Sequence, residues 1–247
     1  MVRTTVVPSP AHAGQLVATH ILDAIVAKAG TPFLLGCPAG RTPVTTYAAL
    51  GSLARARCID VSNLQIVMLD EYVVDGDLCD VSAHYSCRRF IRETLVDSGV
   101  VTPSQVCWPD PHSPATYDDR IAAAGGLDVV ILGCGTSDGH VAFNPPGTPA
   151  DSPSSVVQLA ESTRRDNLAT FPLFNSRADV PSAGATVGLR TIREARSVVM
   201  ILLGEEKGSA FARVTAMTAF DPEWPASILY ECEDGWLVAD EAAAGAR

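Results

Sequence analysis

Four apolar runs constrain this chain more than any other feature of its sequence. Residues 32–36, 64–69, 129–132 and 198–203 are hydrophobic almost without interruption and do not alternate with polar residues. A strand wetted on one face alternates. An unbroken run reads as a strand buried on both faces, the situation of a parallel sheet between two layers of helices. Amphipathic stretches lie between the runs. In residues 15–29, Leu16, His20 and Ala24 share one stripe, with Val17, Ile21 and Ile25 beside it. Residues 42–53 and 84–96 carry the same helical period. Strand then helix, repeated, predicts an α/β fold of three layers: a mostly parallel central sheet with helices on both faces.

The length of 247 residues suits one such domain spanning 1–247, and no internal repeat or low-complexity linker divides it. Residues 153–185 are richer in Pro, Ser and Asn, which predicts either an excursion that covers a substrate or a surface helix with long loops. The Ala-rich tail, 241–247, is expected to fray. A hydrophobic content of 47% against 19% charged residues places the chain among globular proteins. Its net charge of −10 argues against nucleic-acid or anionic-membrane partners. The seven cysteines are odd in number and form no C-x-x-C pair, so free thiols in a reducing compartment are expected. Residues 1–15 hold no apolar signal core, and no run approaches the roughly 18 residues of a membrane span. A soluble, cytoplasmic protein is the expectation, and the sequence leaves homo-oligomerisation open.

Function is legible at the strand ends. Ligands of open α/β sheets bind beyond the carboxyl ends of the strands. Here each apolar run is followed by reactive or anion-binding residues. After the first come Gly40, Arg41 and Thr42 ahead of a helix. Glycine permits close backbone approach, and amides at a helix start attract anions. Thr42 before Pro43 is equally a plain helix cap. No Gly-Lys-Ser/Thr follows, so this is not a P-loop of the Walker type. After the second run, Asp70 and Glu71 put two carboxylates at a buried strand end. Asp70, nearer the strand, is the better general base, and Glu71 the more structural of the two.

The third run opens into Gly133-Cys134-Gly135-Thr136-Ser137-Asp138-Gly139-His140. The spacing fails as a dinucleotide fingerprint because the third Gly falls one place late. Asp138 and His140 instead form a carboxylate–imidazole pair, in which the acid fixes the tautomer and favours the protonated ring. Lys207, after the fourth run, is a candidate phosphate contact in an acidic protein. His12, His20, His84 and His112 show no ligand spacing, so no metal is predicted.

Taken together, these segments resemble the glucosamine-6-phosphate deaminase and 6-phosphogluconolactonase superfamily. The likeness runs in order through residues 35–50, 67–89, 127–148 and 184–208. Met68-Leu69-Asp70-Glu71-Tyr72 and Asp138-Gly139-His140-Val141-Ala142-Phe143-Asn144 look like the deaminase branch, as do Ala185-Thr186-Val187-Gly188 and Gly204-Glu205-Glu206-Lys207. The lactonase branch usually has Arg after the Asp-Glu pair and Thr-Ala-Ser after the His. The resemblance implies a Rossmann-like sheet, a phosphorylated sugar as ligand, no cofactor, and aldose–ketose isomerisation with loss of ammonia. By position, Asp70 would carry a proton between C2 and C1. His140 would open the pyranose ring, oriented by Asp138. Gly40, Arg41, Thr42 and Lys207 would hold the phosphate, and Glu71, Gly135, Gly139 and Asn144 would line the substrate.

The chain also departs from that pattern. Pro145 stands where the deaminases carry a Glu that supports the ring-opening His. Arg41 replaces a Gly or Ser, Cys87 replaces a Tyr, and Ala169 aligns with an expected phosphate-binding Arg. The basic residues of the allosteric site in some bacterial members are missing around residues 152–157. A lactonase or other sugar-phosphate isomerase that spares the amine is the alternative reading. A sugar-phosphate-binding protein without catalysis is a third.

Overall fold

The computed structural model describes residues 2–245. Eleven strands and eight α-helices follow one another in the order β1 (Arg3–Val7), α1 (Pro10–Ala27), β2 (Phe33–Cys37), α2 (Val44–Ala56), β3 (Leu64–Met68), β4 (Asp70–Val74), β5 (Asp77–Leu78), α3 (Cys87–Ile91), β6 (Val106–Cys107), α4 (Pro114–Ala123), β7 (Val129–Leu132), β8 (Ser155–Gln158), α5 (Glu161–Thr170), β9 (Ala183–Thr186), α6 (Leu189–Arg193), β10 (Ser197–Leu202), α7 (Gly208–Ala216), β11 (Gly235–Asp240) and α8 (Glu241–Ala244).

Seven strands form a central sheet in the order β1-β11-β10-β7-β2-β3-β6, and every pairing in it is parallel. The four apolar runs are β2, β3, β7 and β10. Their residues divide by parity between two cores. Phe33, Leu35, Ile66, Val129, Ile131, Val199 and Ile201 pack on one face with Val17, Ile21 and Ile25 of α1 and Leu50 of α2. Leu34, Val67, Val130, Leu132, Val198, Met200 and Leu202 pack on the other with Tyr117 of α4, Ile192 of α6 and Val214 of α7. Burial on both faces is why these strands read as unbroken runs.

The chain departs from the sequence reading in four places. The helix foreseen over 84–96 starts later, at Cys87, where the Ser86 side chain caps it, and passes into a π-helical turn at Arg92–Val96. Helix α2 starts at Val44 with Pro43 in the cap position, so Thr42 is not the cap. Residues 153–185 hold neither foreseen form alone: they contribute β8, α5 and β9. These strands join β4 and β5 in an antiparallel sheet, β5-β4-β9-β8. The tail is anchored through Gly245 rather than frayed. The Asp240 carboxylate accepts from the Ala243 amide at 2.8 Å, and Ala243 is buried. Ala246 and Arg247 lie outside the described residues.

Two topological facts position the site. β2 connects onward to β3 on one side and β7 to β10 on the other, so the winding direction reverses between β2 and β7, which are paired neighbours. A crevice opens at their carboxyl ends for that reason. The second fact is a seam at Leu69. Its amide donates to Cys37 of the parallel sheet at 3.1 Å, and its carbonyl accepts from Val187 at 2.7 Å. At the next residue, Asp70, the chain pairs antiparallel with Thr186. The second sheet therefore begins at the rim of the crevice.

Candidate active site

The crevice contains a cavity of about 580 Å³, walled by residues that follow β2, β3, β7 and β10 and by helix α5. Of the residues singled out in the sequence, Gly40, Arg41, Thr42, Asp70, Gly135, His140 and Lys207 stand on its wall. Asp138 stands directly behind His140. Its Oδ1 lies 2.7 Å from His140 Nδ1 and accepts the His140 amide at 3.1 Å. Its Oδ2 accepts from the Ser162 and Thr163 hydroxyls of α5. Burial works against the Asp138 anion. Hydrogen bonds from His140 and Ser162, with the charge of His140, outweigh it and hold the carboxyl well below the usual range. Gly135 makes the pair possible, because a Cβ there would run into His140 Nδ1 and Asp138 Oδ1.

Three residues expected to line the substrate are not on the cavity wall. Glu71 is fully buried and points away from the cavity. It accepts from the Cys87 and Arg88 amides at 3.0 and 2.9 Å and from Ser86 Oγ at 2.9 Å, which ties the start of α3 to β4. Gly139 has a φ of +71° and lies flat beneath Trp224, so its role is close packing. Asn144 is 2% exposed and donates to the Val187 carbonyl at 2.8 Å. Glu71 faces opposite to Asp70 because successive side chains on a strand alternate, a consequence invisible in a linear motif.

Asp70 is 6% exposed. Burial pushes its carboxyl up to about 7, helped by Glu71 and opposed by the Cys87 thiol and His140. That value suits a group that must take and return a proton near neutrality. Lys207 donates to the Cys134 carbonyl at 2.7 Å and to Thr136 Oγ1 at 3.0 Å. Burial lowers its pKa, Arg41 adds to the effect, and Cys134, Asp166 and Glu206 oppose it. Arg41 is exposed and lies 3.9 Å from Glu206. Two cations thus stand by the loops after β2 and β10, and the Asp70 carboxylate and His140 ring by those after β3 and β7.

Sequence reasoning missed the contribution of α5. Asp166, Asn167, Thr170 and Phe171 reach the wall, as do Tyr72 and Cys87. Ser162, Asp166 and Thr170 repeat at helical spacing, a polar stripe that reads as a solvated face until something covers it. Asp166 accepts from Ser137 Oγ at 2.7 Å and so bridges α5 to the loop after β7. Donor atoms of Asp138, His140 and Asp166 lie within 4.8 Å of one another, a spacing a cation could bridge. Asp138 and Asp166 are already committed to the hydroxyls of Ser162, Thr163 and Ser137. Pro145 is partly buried beyond His140 and offers no acid. The side chain of Ala169, within α5, lies outside what the structure describes.

Among the described residues, no helix is long and apolar enough to cross a membrane. Residues 9–238 match the model of the family described as glucosamine-6-phosphate isomerases/6-phosphogluconolactonase. A glucosamine-6-phosphate deaminase of Rhodococcus jostii is 40% identical, with 86% of this chain and 81% of that protein covered. One from Shouchella clausii is 36% identical over 85% and 84%. The solved structure of a monomeric glucosamine-6-phosphate deaminase superposes with a TM-score of 0.89 at 26% identity, covering 100% of both chains. A 6-phosphogluconolactonase from Leishmania guyanensis shares the fold, with a TM-score of 0.73, 19% identity and coverage of 99% and 98%. With its parallel sheet, its strand-end cavity and these relatives, the chain belongs to the glucosamine-6-phosphate isomerase/6-phosphogluconolactonase family.

Proposed function

We propose that this enzyme converts glucosamine 6-phosphate and water to the ketose 6-phosphate and ammonia, a hydrolysis of a C–N bond. The observation that carries the reading is the meeting of Asp70 and His140 on one cavity wall that also bears Arg41 and Lys207. The phosphate would sit against the backbone at Gly40, Thr42 and the two cations. His140, held by Asp138, would take the proton of the anomeric hydroxyl and deliver it to the ring oxygen, opening the pyranose to the aldehyde. Asp70 would then remove the C2 proton. The resulting enolamine takes that proton back at C1 and becomes the C2 imine. Water adds to the imine and ammonia leaves.

The relatives named as deaminases support this reading, and so does the placement of Asp70 at the seam between the two sheets. The expected outcome is ammonia release from glucosamine 6-phosphate, reduced on the order of 10³-fold by Asp70→Asn at unchanged fold. Absence of ammonia at high enzyme concentration would sink it. Pro145 favours one second reading, because no acid stands at that position beyond His140. That reading is hydrolysis of a phosphogluconolactone, blocked by His140→Ala, with no action on the amino sugar.

A further inference from the structure

Strand β4 sets two carboxylates side by side and equips them differently. Glu71 is surrounded by donors: the amides of Tyr72, Cys87 and Arg88, the Ser86 hydroxyl and the Cys79 thiol. Among the described residues, the Asp70 carboxylate has a single donor, the Cys87 thiol, with Sγ 3.4 Å from Oδ1. Cys87 is 3% exposed and is the first residue of α3. Its amide is fastened to Glu71, so the neighbouring acid aims the thiol at Asp70.

We propose that Cys87 is a positioning residue for Asp70: its thiol holds one carboxylate oxygen toward the cavity while, as a weak donor, leaving the anion a strong base. The inference rests on the reading of Asp70 as the carrier of the C2 proton. A serine hydroxyl at this position, once a small shift of the carboxylate closes the 3.4 Å gap to about 2.7 Å, would stabilise the anion far more than a thiol does. A carboxylate so stabilised is a poorer base. With no donor at all, the buried carboxyl would keep its proton to higher pH and lose its fixed direction.

The surroundings make the effect readable. Tyr47 of α2 and Tyr72 of β4 face Asp70, and burial pushes both phenols well above their ordinary range. Burial does the same to the Cys87 thiol, so it stays a donor rather than a competing anion near neutral pH. Glu71 on the same strand and His140 across the cavity are the charged neighbours. Neither is altered by a change at position 87.

The test is the pH dependence of kcat/KM for ammonia release from glucosamine 6-phosphate, in the wild type, Cys87→Ser, Cys87→Ala and Asp70→Asn. Thermal melting confirms that each is folded. The wild-type acidic limb is expected near the value for Asp70, about 7. Cys87→Ser should move it down by about one unit with a lower plateau, and Cys87→Ala should move it up by about half a unit. Opposite displacements by two small side chains are outside the reach of a residue that only fills space. Limbs that coincide in all three, or that move together, overturn the proposal. The Ser variant, nearly isosteric, decides it alone if the Ala variant does not fold. Wild-type ammonia release by Asp70→Asn would overturn the reading of Asp70 instead, leaving the two failures distinguishable.

Discussion

A carboxyl raised to about 7 is poised for proton transfer and costly for the fold, and Asp70 is both. The unfolded chain releases this proton near the ordinary aspartate value of 3.8, whereas the folded chain holds it until about 7. Between those values the folded state binds more protons, so the group lowers stability progressively as pH rises, and the penalty is complete above about 7. Asp70→Asn should therefore unfold at higher denaturant than the wild type at about pH 8, by up to about 4 kcal/mol, and show no gain at about pH 4. Urea titrations at the two pH values measure it. A loss of stability at the higher pH would mean that the buried anion is a net support. Asp70 was legible in the sequence because it follows almost directly on a buried strand, and His140 because it is paired with Asp138 in the Gly-rich loop that opens from β7. Cys87 and Asp166 were not. Each reaches the cavity from a helix whose place is set by tertiary packing, and no local pattern announces it.

At the scale of elements, the central strands were readable and the second sheet was not, for one physical reason. β2, β7 and β10 are buried on both faces and so are continuously apolar. β8 and β9 are four residues each, Ser-Val-Val-Gln and Ala-Gly-Ala-Thr, with too few large side chains to declare a strand. Their pairing with β4 supplies the order that their own sequence lacks. The loop bearing Lys207 depends on a similar loan. Asp240, at the end of β11, caps α8 through the Ala243 amide and also accepts from the Gly204 amide at 3.0 Å. Asp240→Ala removes both bonds. It should cost on the order of 1–2 kcal/mol of stability. By loosening the turn ahead of Lys207, it should raise KM for the sugar phosphate several-fold with kcat nearly unchanged, the signature of lost ground-state binding. Steady-state kinetics at a temperature where the variant is folded separate the two effects. An equal fall in kcat would instead place the turn in the transition state.

For the whole molecule, 28 acidic against 18 basic side chains give a net charge of −10, while the proposed substrate is itself an anion. The long-range field therefore opposes encounter, and only the cavity-wall cations, Arg41 and Lys207, favour it. Glu206 beside Arg41 weakens even that local attraction. The two contributions differ in range. At about 10 mM salt the Debye length is about 30 Å, long enough for the whole surface to act on the approaching phosphate. At about 150 mM it shrinks to about 8 Å, and only groups at the cavity mouth still count. Screening thus removes repulsion before it removes attraction, and kcat/KM for glucosamine 6-phosphate should rise about two- to three-fold over that interval. Stopped-flow or steady-state measurements in a chloride series test this. A monotonic fall would show that the local cations govern encounter from the outset. Glu206→Gln offers the complementary experiment: Glu206 lies 3.9 Å from Arg41, inside the Debye length of about 8 Å even at about 150 mM salt, so unmasking Arg41 should raise kcat/KM at both salt levels and more at the lower one.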